Sequence, residues 1–393
     1  MRLLITTNGR LYKGPDNRYY TPIVYGYDFF KTYLQVFEQV RLVAHVENAS
    51  AESVKTMLWV NGPGVEVFEM PFPHGKWAYI KSAFSIQMRV NLAVDGCDAA
   101  LFRIPDPLAF QIFPCCRRRK IPTAVEVTSD PLVLYSSLGG RYPLRLFIKW
   151  SHYWEMRYCC RKADGVSYVT ASYLQSVYPS GVQQNEECRF ESYYTDTGLE
   201  EHDSPVRDYP IRGKISLLHI AGSLSGRVKG HKELIEAFVS LKKKGYDLSL
   251  TLVGSGRLDE DVQRLLEESG NQEDVSFTGF LHKEQIDELY RRSDIFVFPS
   301  YREGLPRVVV DAMSWSLPCI STDIPGCREL LSPDVLVPVA DAVALTDTLE
   351  RYLKNQELLQ KEGQKNRLVS MEYSNLRVLV RRLDFYKKLK SLA

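Results

Sequence analysis

With 393 residues, the chain is long for a single hydrophobic core and favours an organisation into two domains. Apolar residues make up 45% of it and charged residues 25%, which is the composition of an ordinary globular protein. The formal net charge of +2 is too small to indicate a nucleic-acid-binding protein, so no nucleic-acid partner is expected.

The cysteines and the hydropathy of the chain bear on its cellular compartment. Two adjacent pairs, Cys115-Cys116 and Cys159-Cys160, show no spacing typical of a metal site, and we interpret the cysteines as reduced thiols of a cytoplasmic protein. No apolar run approaches the ~20 residues that a membrane-spanning helix needs. The segment Met1–Ile5 is too short for a signal peptide and is better explained as a first strand.

Short apolar or β-branched runs alternate with helical segments along the chain, as expected for parallel sheets with right-handed crossovers. In the first half, strands are predicted at Leu3–Thr7, Arg41–Val46, Val65–Met70, Ala99–Ile104, Thr123–Thr128 and Gly165–Thr170. In the second half, they are predicted at Ile215–Ala221, Leu248–Val253, Val275–Gly279, Ile295–Pro299, Cys319–Thr322 and Val335–Pro338. The predicted fold class is therefore α/β, with two doubly wound, Rossmann-like domains facing across a cleft.

A polar, turn-rich stretch between the two series of strands, Tyr193–Gly213, is predicted to be the linker. We therefore place an N-terminal domain at residues 1–200 and a C-terminal domain at 212–374. The last segment, 375–393, contains a predicted helix with one apolar stripe, which we expect to pack back on the N-terminal domain. Ligands of doubly wound domains bind at the carboxyl ends of the strands, so we expect the site there.

One strand end in the second half carries two carboxylates beside a predicted helix start. A buried run ends at Pro299, and Glu303 follows it. Pro306 then opens a helix that contains Asp311. Helix-start amides attract an anion and carboxylates accept hydrogen bonds from sugar hydroxyls, so this arrangement is suited to a ligand with both groups. The alternative is an ordinary surface loop followed by a helix with an acidic residue near its start.

Two further strand ends in the second half carry glycine-containing loops. The loop Gly222–Gly230 includes Arg227 and Lys229, and the positive charges of Arg227 and of either Lys229 or the following Lys232 can neutralise phosphate. The other loop is Gly254–Gly256. Each loop alone is also explained as a mobile surface loop or a tight turn. Three such loops at the ends of neighbouring strands indicate a nucleotide site in the second domain.

The second half of the chain resembles the donor-binding domain of retaining glycosyltransferases of family 4, which have the GT-B fold. The resemblance rests on motifs in the family's order: Ile220–Leu224, Lys229-Gly230, Leu252–Gly256, Val275–Leu281, Ser293–Ser300, Glu303–Pro306, Asp311–Met313, Leu317-Pro318 and Gly326–Glu329. They cover nearly all of Ile215–Leu331, whereas the first half is similar only in outline, mainly at Asp164–Thr170.

The resemblance implies a nucleotide-sugar donor in the C-terminal domain, an acceptor in the N-terminal domain, and no metal or other cofactor. The family's Glu-x7-Glu motif falls on Glu303 and Asp311, which would hold the donor sugar and the ribose, and its phosphate-binding lysine matches Lys229. Ser223 replaces the arginine that usually partners this lysine, and Arg227 is expected to substitute. The remaining donor-binding positions are Gly9, Gly222, Ser223, Gly254, Phe280, Leu281, Gly304, Leu305, Pro306 and Arg307.

Two N-terminal positions are weaker candidates for the same site. Ser129 stands near the place of a histidine that is common in the family, and Asp130 beside it is a candidate for contacting the donor sugar or orienting the acceptor. The alternative for Asp130 is an aspartate in a turn ahead of Pro131. Gly9, in a loop predicted to follow the first strand, would approach the pyrophosphate from the opposite wall of the cleft.

The implied reaction is transfer of a hexose from a UDP- or GDP-linked donor with retention of anomeric configuration, without an enzyme nucleophile. Lys229, Arg227 and helix amides would stabilise the charge on the departing nucleotide diphosphate. The resemblance further implies a glycan or lipid-linked saccharide acceptor and a role in bacterial surface polysaccharide synthesis. Rivals are a nucleotide-sugar epimerase or a phosphorylase on the same fold, and a catalytically impaired GT-B protein that binds glycan or a partner enzyme.

A basic and aromatic segment in the first half predicts contact with a membrane surface. Aromatic and basic residues recur there at helical spacing, namely Trp150, Tyr153, Trp154, Arg157, Tyr158 and Arg161. The run Arg117–Lys120 is also basic. Tryptophan, tyrosine and basic residues together are typical of the water–lipid boundary, so we expect peripheral attachment at the inner face of the cell membrane. The alternative is an aromatic core stripe with a solvated basic back.

Overall fold

A computed structural model describes residues 1–23, 25–71, 86–136, 145–184, 189–195, 197–200, 202–203 and 213–393. The chain divides into two compact units, which we call the first unit (Met1–Tyr194 with Leu379–Ala393) and the second unit (Thr195–Val378). Most of the predicted linker lies outside the described residues.

Over its described residues, the first unit is built on a nine-stranded sheet. Its strands are β1 (Arg2–Lys13), β2 (Tyr19–Thr21), β3 (Gln39–Asn48), β4 (Leu58–Trp59), β5 (Val65–Met70), β6 (Ala99–Ile104), β7 (Thr123–Val127), β8 (Gly165–Tyr168) and β9 (Phe190–Tyr193). The parallel order is β5-β3-β1-β6-β7-β8-β9, and β2 and β4 are added antiparallel at the end of β1. Its helices are α1 (Tyr27–Leu34), α2 (Ala51–Val54), α3 (described over residues 86–94), α4 (Pro107–Arg118), α5 (Pro131–Ser136), α6 (Arg145–Lys162) and α7 (Tyr173–Val177).

The part of the second unit that the structure describes is built on a six-stranded parallel sheet. Its strands are β10 (Ile215–Ser223), β11 (Leu248–Ser255), β12 (Val275–Gly279), β13 (Ile295–Phe298), β14 (Cys319–Thr322) and β15 (Leu336–Val337). Its helices are α8 (His231–Lys243), α9 (Glu260–Glu268), α10 (Lys283–Arg292), α11 (Arg307–Ser314), α12 (Pro325–Arg328), α13 (Ala342–Lys354) and α14 (Gln356–Ser370). The last helix, α15 (Asn375–Lys390), begins in the second unit, and from Leu379 onward it belongs to the first. The spatial order β12-β11-β10-β13-β14-β15 is the doubly wound order, in which the winding direction reverses between β10 and β13.

The sequence of the second unit explains why its sheet is covered on both faces. Every residue of β13 and of β14 is buried, as expected for central parallel strands with helices on each side. The helix α8 buries its apolar face, including Leu234, Phe238 and Leu241, and exposes its charged face. One core therefore joins the sheet to its helices, and it holds the carboxyl ends of the strands in fixed positions.

All the strands predicted from the sequence are present, but the prediction for the first strand is wrong about where it ends. The predicted strand stops at Thr7, whereas β1 continues to Lys13 past a shift in register between Thr6 and Arg10. The strand continues because β2 and β3 pair with its second half. Gly9 therefore lies in an irregularity within a strand, against the side chain of Ile23, and not in a loop after the strand. The strands β2, β4 and β9 were not predicted.

The end of α15 packs on the first unit around a buried carboxylate. Glu126 on β7 is ion-paired with Arg103 on β6. One of its oxygens accepts hydrogen bonds from the hydroxyls of Tyr194 (2.6 Å) and of Tyr386 on α15 (2.9 Å). Because a buried charge is stable only when it is paired and hydrogen-bonded, this network positions α15 on the first unit.

Candidate functional site

The candidate site of the second unit lies where the winding direction of its sheet reverses. The strands β10 and β13 are hydrogen-bonded neighbours, with Leu217 opposite Ile295 and Leu218 opposite Phe296. The loops that follow their carboxyl ends therefore emerge side by side, although about 70 residues of sequence separate them. Open α/β sheets bind ligands at this position.

Backbone contacts join these two loops. The amide of Tyr301 donates a hydrogen bond of 2.8 Å to the carbonyl of Val228, and the Ser300 hydroxyl donates to the same oxygen at 3.2 Å. Gly230 packs against the chain at Pro299 so closely that a Cβ atom on it would lie 2.0 Å from the Pro299 carbonyl oxygen. Only glycine fits at this position, which also has a φ of +72°.

This junction brings together Lys229 and Glu303, which the sequence predicted separately. The Lys229 ammonium forms an ion pair with Oε1 of Glu303. The same oxygen accepts a hydrogen bond of 3.2 Å from the Ser300 hydroxyl, which is itself fully buried. Both charged side chains are only half-buried, so their polar atoms remain accessible to a ligand.

The helix α11 begins directly after Glu303 and contributes backbone amides. Pro306 is its N-cap residue, and within the described residues no side chain caps this end of the helix. Open amides at a helix N-terminus attract negative charge. Gly304 is exposed and its Cα faces open space, whereas Leu305 and Pro306 are more buried and Arg307 is exposed. The start of α12 buttresses this turn, since a Cβ on Gly326 would lie 1.8 Å from the Gly304 carbonyl oxygen.

Asp311 lies one turn further along α11 and is half-buried. Burial raises the pKa of Asp311 to about 7, with Asp287 acting in the same direction. The positive charges of Lys283 and Arg307 oppose this rise in pKa. The second carboxylate of the predicted motif therefore changes its charge near neutral pH.

The loop after β10 holds Arg227 differently from Lys229. The Arg227 guanidinium pairs with Asp261 on α9 at 2.6 Å, and the neighbouring amide of Gly226 donates to Asp259 at 2.8 Å. Both members of the Arg227 pair are exposed, and such pairs contribute little stability, so the guanidinium is easily redirected. Its predicted role at a phosphate stays a prediction.

The other predicted donor-binding positions surround these loops. Ser223 ends β10 and accepts a hydrogen bond of 3.1 Å from the amide of Ser225, and Gly222 beside it faces open space. Gly254 at the end of β11 packs on the carbonyl of Ala221. After β12, Phe280 is largely exposed and Leu281 packs on the core.

The first-unit candidate Asp130 is held by its own neighbours. One carboxylate oxygen accepts a hydrogen bond from the Tyr178 hydroxyl (2.6 Å) and from the amide of Leu132, and the other accepts from the Tyr173 hydroxyl (2.6 Å). Asp130 therefore stabilises the turn that opens α5 at Pro131, as in the structural alternative. Its predicted role at the donor or acceptor stays a prediction.

The sequence analysis missed the residues that join the two loops and the partners that support them. Ser300 links Val228 to Glu303, and the Tyr301 hydroxyl donates a hydrogen bond of 2.6 Å to Glu233 on α8. The proline-serine turn ahead of Glu303 was a signal for Ser300, because serine hydroxyls commonly bond to nearby backbone groups in turns. Within the described part of the chain, no group of three or more His, Cys, Asp or Glu residues is arranged to hold a metal ion.

Known proteins resemble this chain in sequence. Residues 207–369 match the family model described as glycosyl transferases group 1. Protein CapJ of Staphylococcus aureus is 23% identical over 365 residues, which cover 91% of this chain and 88% of CapJ. The capsular polysaccharide biosynthesis glycosyltransferase CapM of Staphylococcus aureus is 26% identical over 146 residues, which cover 35% of this chain and 37% of CapM. The second unit carries a glycosyl transferases group 1 domain.

The fold agrees with this assignment. HepE of Anabaena, solved in complex with UDP, matches with a TM-score of 0.64 over 99% of both chains, at 14% sequence identity. At this identity the likeness establishes the fold, which is the two-domain GT-B fold predicted from the sequence. The matched glycosyl transferases group 1 domain, which contains Lys229, Glu303 and Asp311, identifies the protein as a glycosyltransferase.

Substituting the glycines tests the close packing around the glycosyltransferase site. Gly326→Ala places a Cβ against the Gly304 carbonyl, so we expect a loss of about 1–3 kcal/mol in the free energy of unfolding. Gly222→Ala is the matched control, because its Cβ would meet open space, and we expect a change within about 0.5 kcal/mol. Urea unfolding of both variants measures this difference, and equal stabilities contradict the packing described.

The raised pKa of Asp311 predicts how donor affinity depends on pH. In the role that the sequence motif implies for Asp311, its carboxylate form accepts hydrogen bonds from the ribose, so UDP or GDP affinity should rise between pH 6 and pH 8, by up to about tenfold. Asp311→Asn should abolish this rise, since an amide does not titrate. Calorimetric titration with the nucleotide across this range measures it, and a pH dependence retained in Asp311→Asn contradicts the assignment.

The raised pKa of Asp311 has the opposite effect on the unliganded protein, whose stability should fall as the pH rises. The folded-state pKa lies above the ordinary value of 3.8, so the folded state binds the proton more tightly than the unfolded chain does. Asp311 therefore lowers the free energy of unfolding as the pH rises from about 4 to 7, and Asp311→Asn should remove this loss. A stability that is equally pH-dependent in the variant assigns the dependence to other groups.

Proposed function

We propose that this glycosyltransferase moves a hexose from a UDP- or GDP-linked donor to a glycan or lipid-linked saccharide acceptor. We further propose that transfer retains the anomeric configuration and needs no metal. The observation that carries the proposal is the Lys229–Glu303 ion pair beside the open N-terminus of α11. The UDP complex of HepE, which shares the fold, supports a nucleotide donor.

The ion pair explains how one small area serves both halves of a nucleotide sugar. Lys229 presents a positive charge to the diphosphate, and Glu303 presents a carboxylate to sugar hydroxyls. Because each charge neutralises the other before the donor binds, neither is left unpaired at a half-buried site. A donor that supplies both a phosphate and hydroxyl groups replaces both halves of the pair at once.

The same residues support departure of the nucleotide diphosphate. As the bond between the anomeric carbon and the phosphate oxygen breaks, negative charge grows on the diphosphate and positive charge on the sugar ring. Lys229 and the amides of α11 stabilise the negative charge on the diphosphate, and the Glu303 carboxylate stabilises the positive charge on the sugar ring. Arg227 adds charge to the diphosphate side when it leaves Asp261. The oxygen of the acceptor hydroxyl forms the new bond to the anomeric carbon, its proton passes to the departing diphosphate oxygen, and no enzyme nucleophile is required.

The biological role that we propose is synthesis of a bacterial surface polysaccharide, in the cytoplasm or at the inner face of the cell membrane. The similarity to CapM, a capsular polysaccharide biosynthesis glycosyltransferase, supports it. The alternative is a catalytically impaired protein that binds glycan or a partner enzyme. Ser223, which stands where the family has an arginine, is the observation that favours this alternative.

Donor turnover by single variants tests the proposal. Release of UDP or GDP from a panel of nucleotide hexoses should be detectable in the wild-type protein with EDTA present. Lys229→Ala and Glu303→Gln should each lower it by about 100-fold or more, because each removes a group that stabilises developing charge. Lys243→Ala is the matched control, since Lys243 is exposed at the carboxyl end of α8, away from the candidate loops, and should keep full turnover.

Binding and turnover together separate the alternatives. A nucleotide that raises thermal stability without any release of product supports the catalytically impaired protein. Full turnover by both Lys229→Ala and Glu303→Gln contradicts the proposed site. Turnover that is abolished by EDTA and restored by a divalent cation contradicts the metal-independent reaction.

A further inference from the structure

A row of large aromatic side chains on α6 is exposed to solvent. The exposed fractions are 72% for Phe147, 50% for Trp150, 63% for Trp154 and 48% for Tyr158. Their spacing of three, four and four residues places them on one face of the helix. We call this row the aromatic stripe.

The aromatic stripe is not part of the core of the first unit. The face of α6 that packs inward carries Met156, Cys159 and Cys160, all buried in that core. Tyr153, which the sequence grouped with the exposed residues, is half-buried and packs on Tyr178 with 5.6 Å between ring centroids. The structure therefore rejects the core explanation for the stripe and leaves an exposed apolar patch, which marks an interaction surface.

Basic residues lie at the carboxyl end of this helix. Arg161 and Lys162 occupy its last turn. The neighbouring helix α4 ends in the run Arg117–Lys120, and its Phe113 touches Tyr158 of the stripe with 5.9 Å between ring centroids. Both helices lead into strands of one parallel sheet, so their basic ends lie at the same amino-terminal edge of that sheet.

A surface cavity of about 490 Å³ lies at this edge. It is lined by the cationic side chains of Arg117, Lys120 and Arg189, together with Asp164 and Leu392. Asp164 is paired with Arg117 at 3.0 Å, which leaves the cavity with a net positive charge. We call Arg117–Lys120, Arg161, Lys162 and Arg189 the basic edge.

We propose that the aromatic stripe and the basic edge together form a surface that docks on an anionic lipid bilayer. Tryptophan and tyrosine favour the water–lipid boundary, where the ring is buried and the polar atom stays wet. The basic edge gives the charge complementarity that anionic phosphates require, and the cavity offers room for a headgroup phosphate. Within the described residues, no helix has the length and hydropathy to cross a bilayer, so the contact is a surface contact.

This inference concerns a surface of the first unit and does not depend on the donor site of the second. The docking surface includes the amino-terminal edge of the first sheet, whereas ligands of doubly wound sheets bind at the carboxyl edge. A protein that docks on vesicles but transfers no sugar would support the surface and contradict the proposed function.

Vesicle flotation of the full chain tests the surface. Vesicles containing phosphatidylglycerol should float the wild-type protein at low salt, neutral phosphatidylcholine vesicles should not, and high salt should release it. Trp150→Ser with Trp154→Ser should weaken binding by about tenfold or more, since this change removes two aromatic rings that are buried in the bilayer on docking. The matched control is Val343→Ser with Leu368→Ser. It removes two apolar side chains of the second unit that are at least as exposed as the two tryptophans, and it should bind vesicles normally.

Two further double variants test the basic edge, and both lose the same number of positive charges. Arg118→Ser with Lys120→Ser should weaken binding about 20-fold or more, at about fivefold for each cation removed near the surface. Lys243→Ser with Lys361→Ser removes two exposed cations from the second unit and should have little effect. Equal losses in both pairs assign binding to overall charge and overturn the proposed surface.

Two readouts separate a bilayer from another occupant of the stripe. Brominated lipids should quench wild-type tryptophan fluorescence, and the Trp150→Ser, Trp154→Ser variant should lose most of this quenching. Light scattering detects a second copy of the chain as the occupant. An oligomer that dissociates in this variant, while vesicle binding stays unchanged, overturns the proposal. Failure of the wild-type protein to float with anionic vesicles at low salt also overturns it.

Discussion

The candidate donor site depends on the pairing of β10 with β13. These strands are far apart in sequence, and the doubly wound order makes them neighbours. Their following loops must then meet, and the hydrogen bond from Tyr301 to Val228 fixes the distance between them. Lys229 and Glu303 form an ion pair because one lies on each loop. The chemistry of the site is thus a consequence of strand order.

Close packing of backbone against backbone makes this junction rigid. Gly230 lies against Pro299 and Gly326 against Gly304, and neither position has room for a side chain. Rigid positions matter because electrostatic stabilisation of a leaving group works only when the charged groups are already in place. The site therefore combines a fixed frame with half-buried charged groups that a donor can reach.

Some features of the site followed from local sequence, and others did not. The helix start at Pro306 and the positions of Lys229 and Glu303 in loops at strand ends were predictable, because turn residues and strand ends have local causes. The ion pair itself was not, since it depends on which strands are neighbours. The contacts of Asp130 were not predictable for the same reason. The tyrosines that donate hydrogen bonds to its carboxylate lie in α7 and in the turn after α7, far from Asp130 in sequence. Gly9 was wrongly predicted to lie in a loop, because β2 and β3 pair with the second half of β1 and extend this strand past Gly9.

A crystal structure with a non-hydrolysable UDP- or GDP-hexose bound tests the central claim most directly. We expect the Lys229 ammonium to leave Glu303 and contact a phosphate oxygen, while the Glu303 carboxylate accepts hydrogen bonds from the sugar. A donor bound elsewhere in the second unit, with the Lys229–Glu303 ion pair intact, would contradict it.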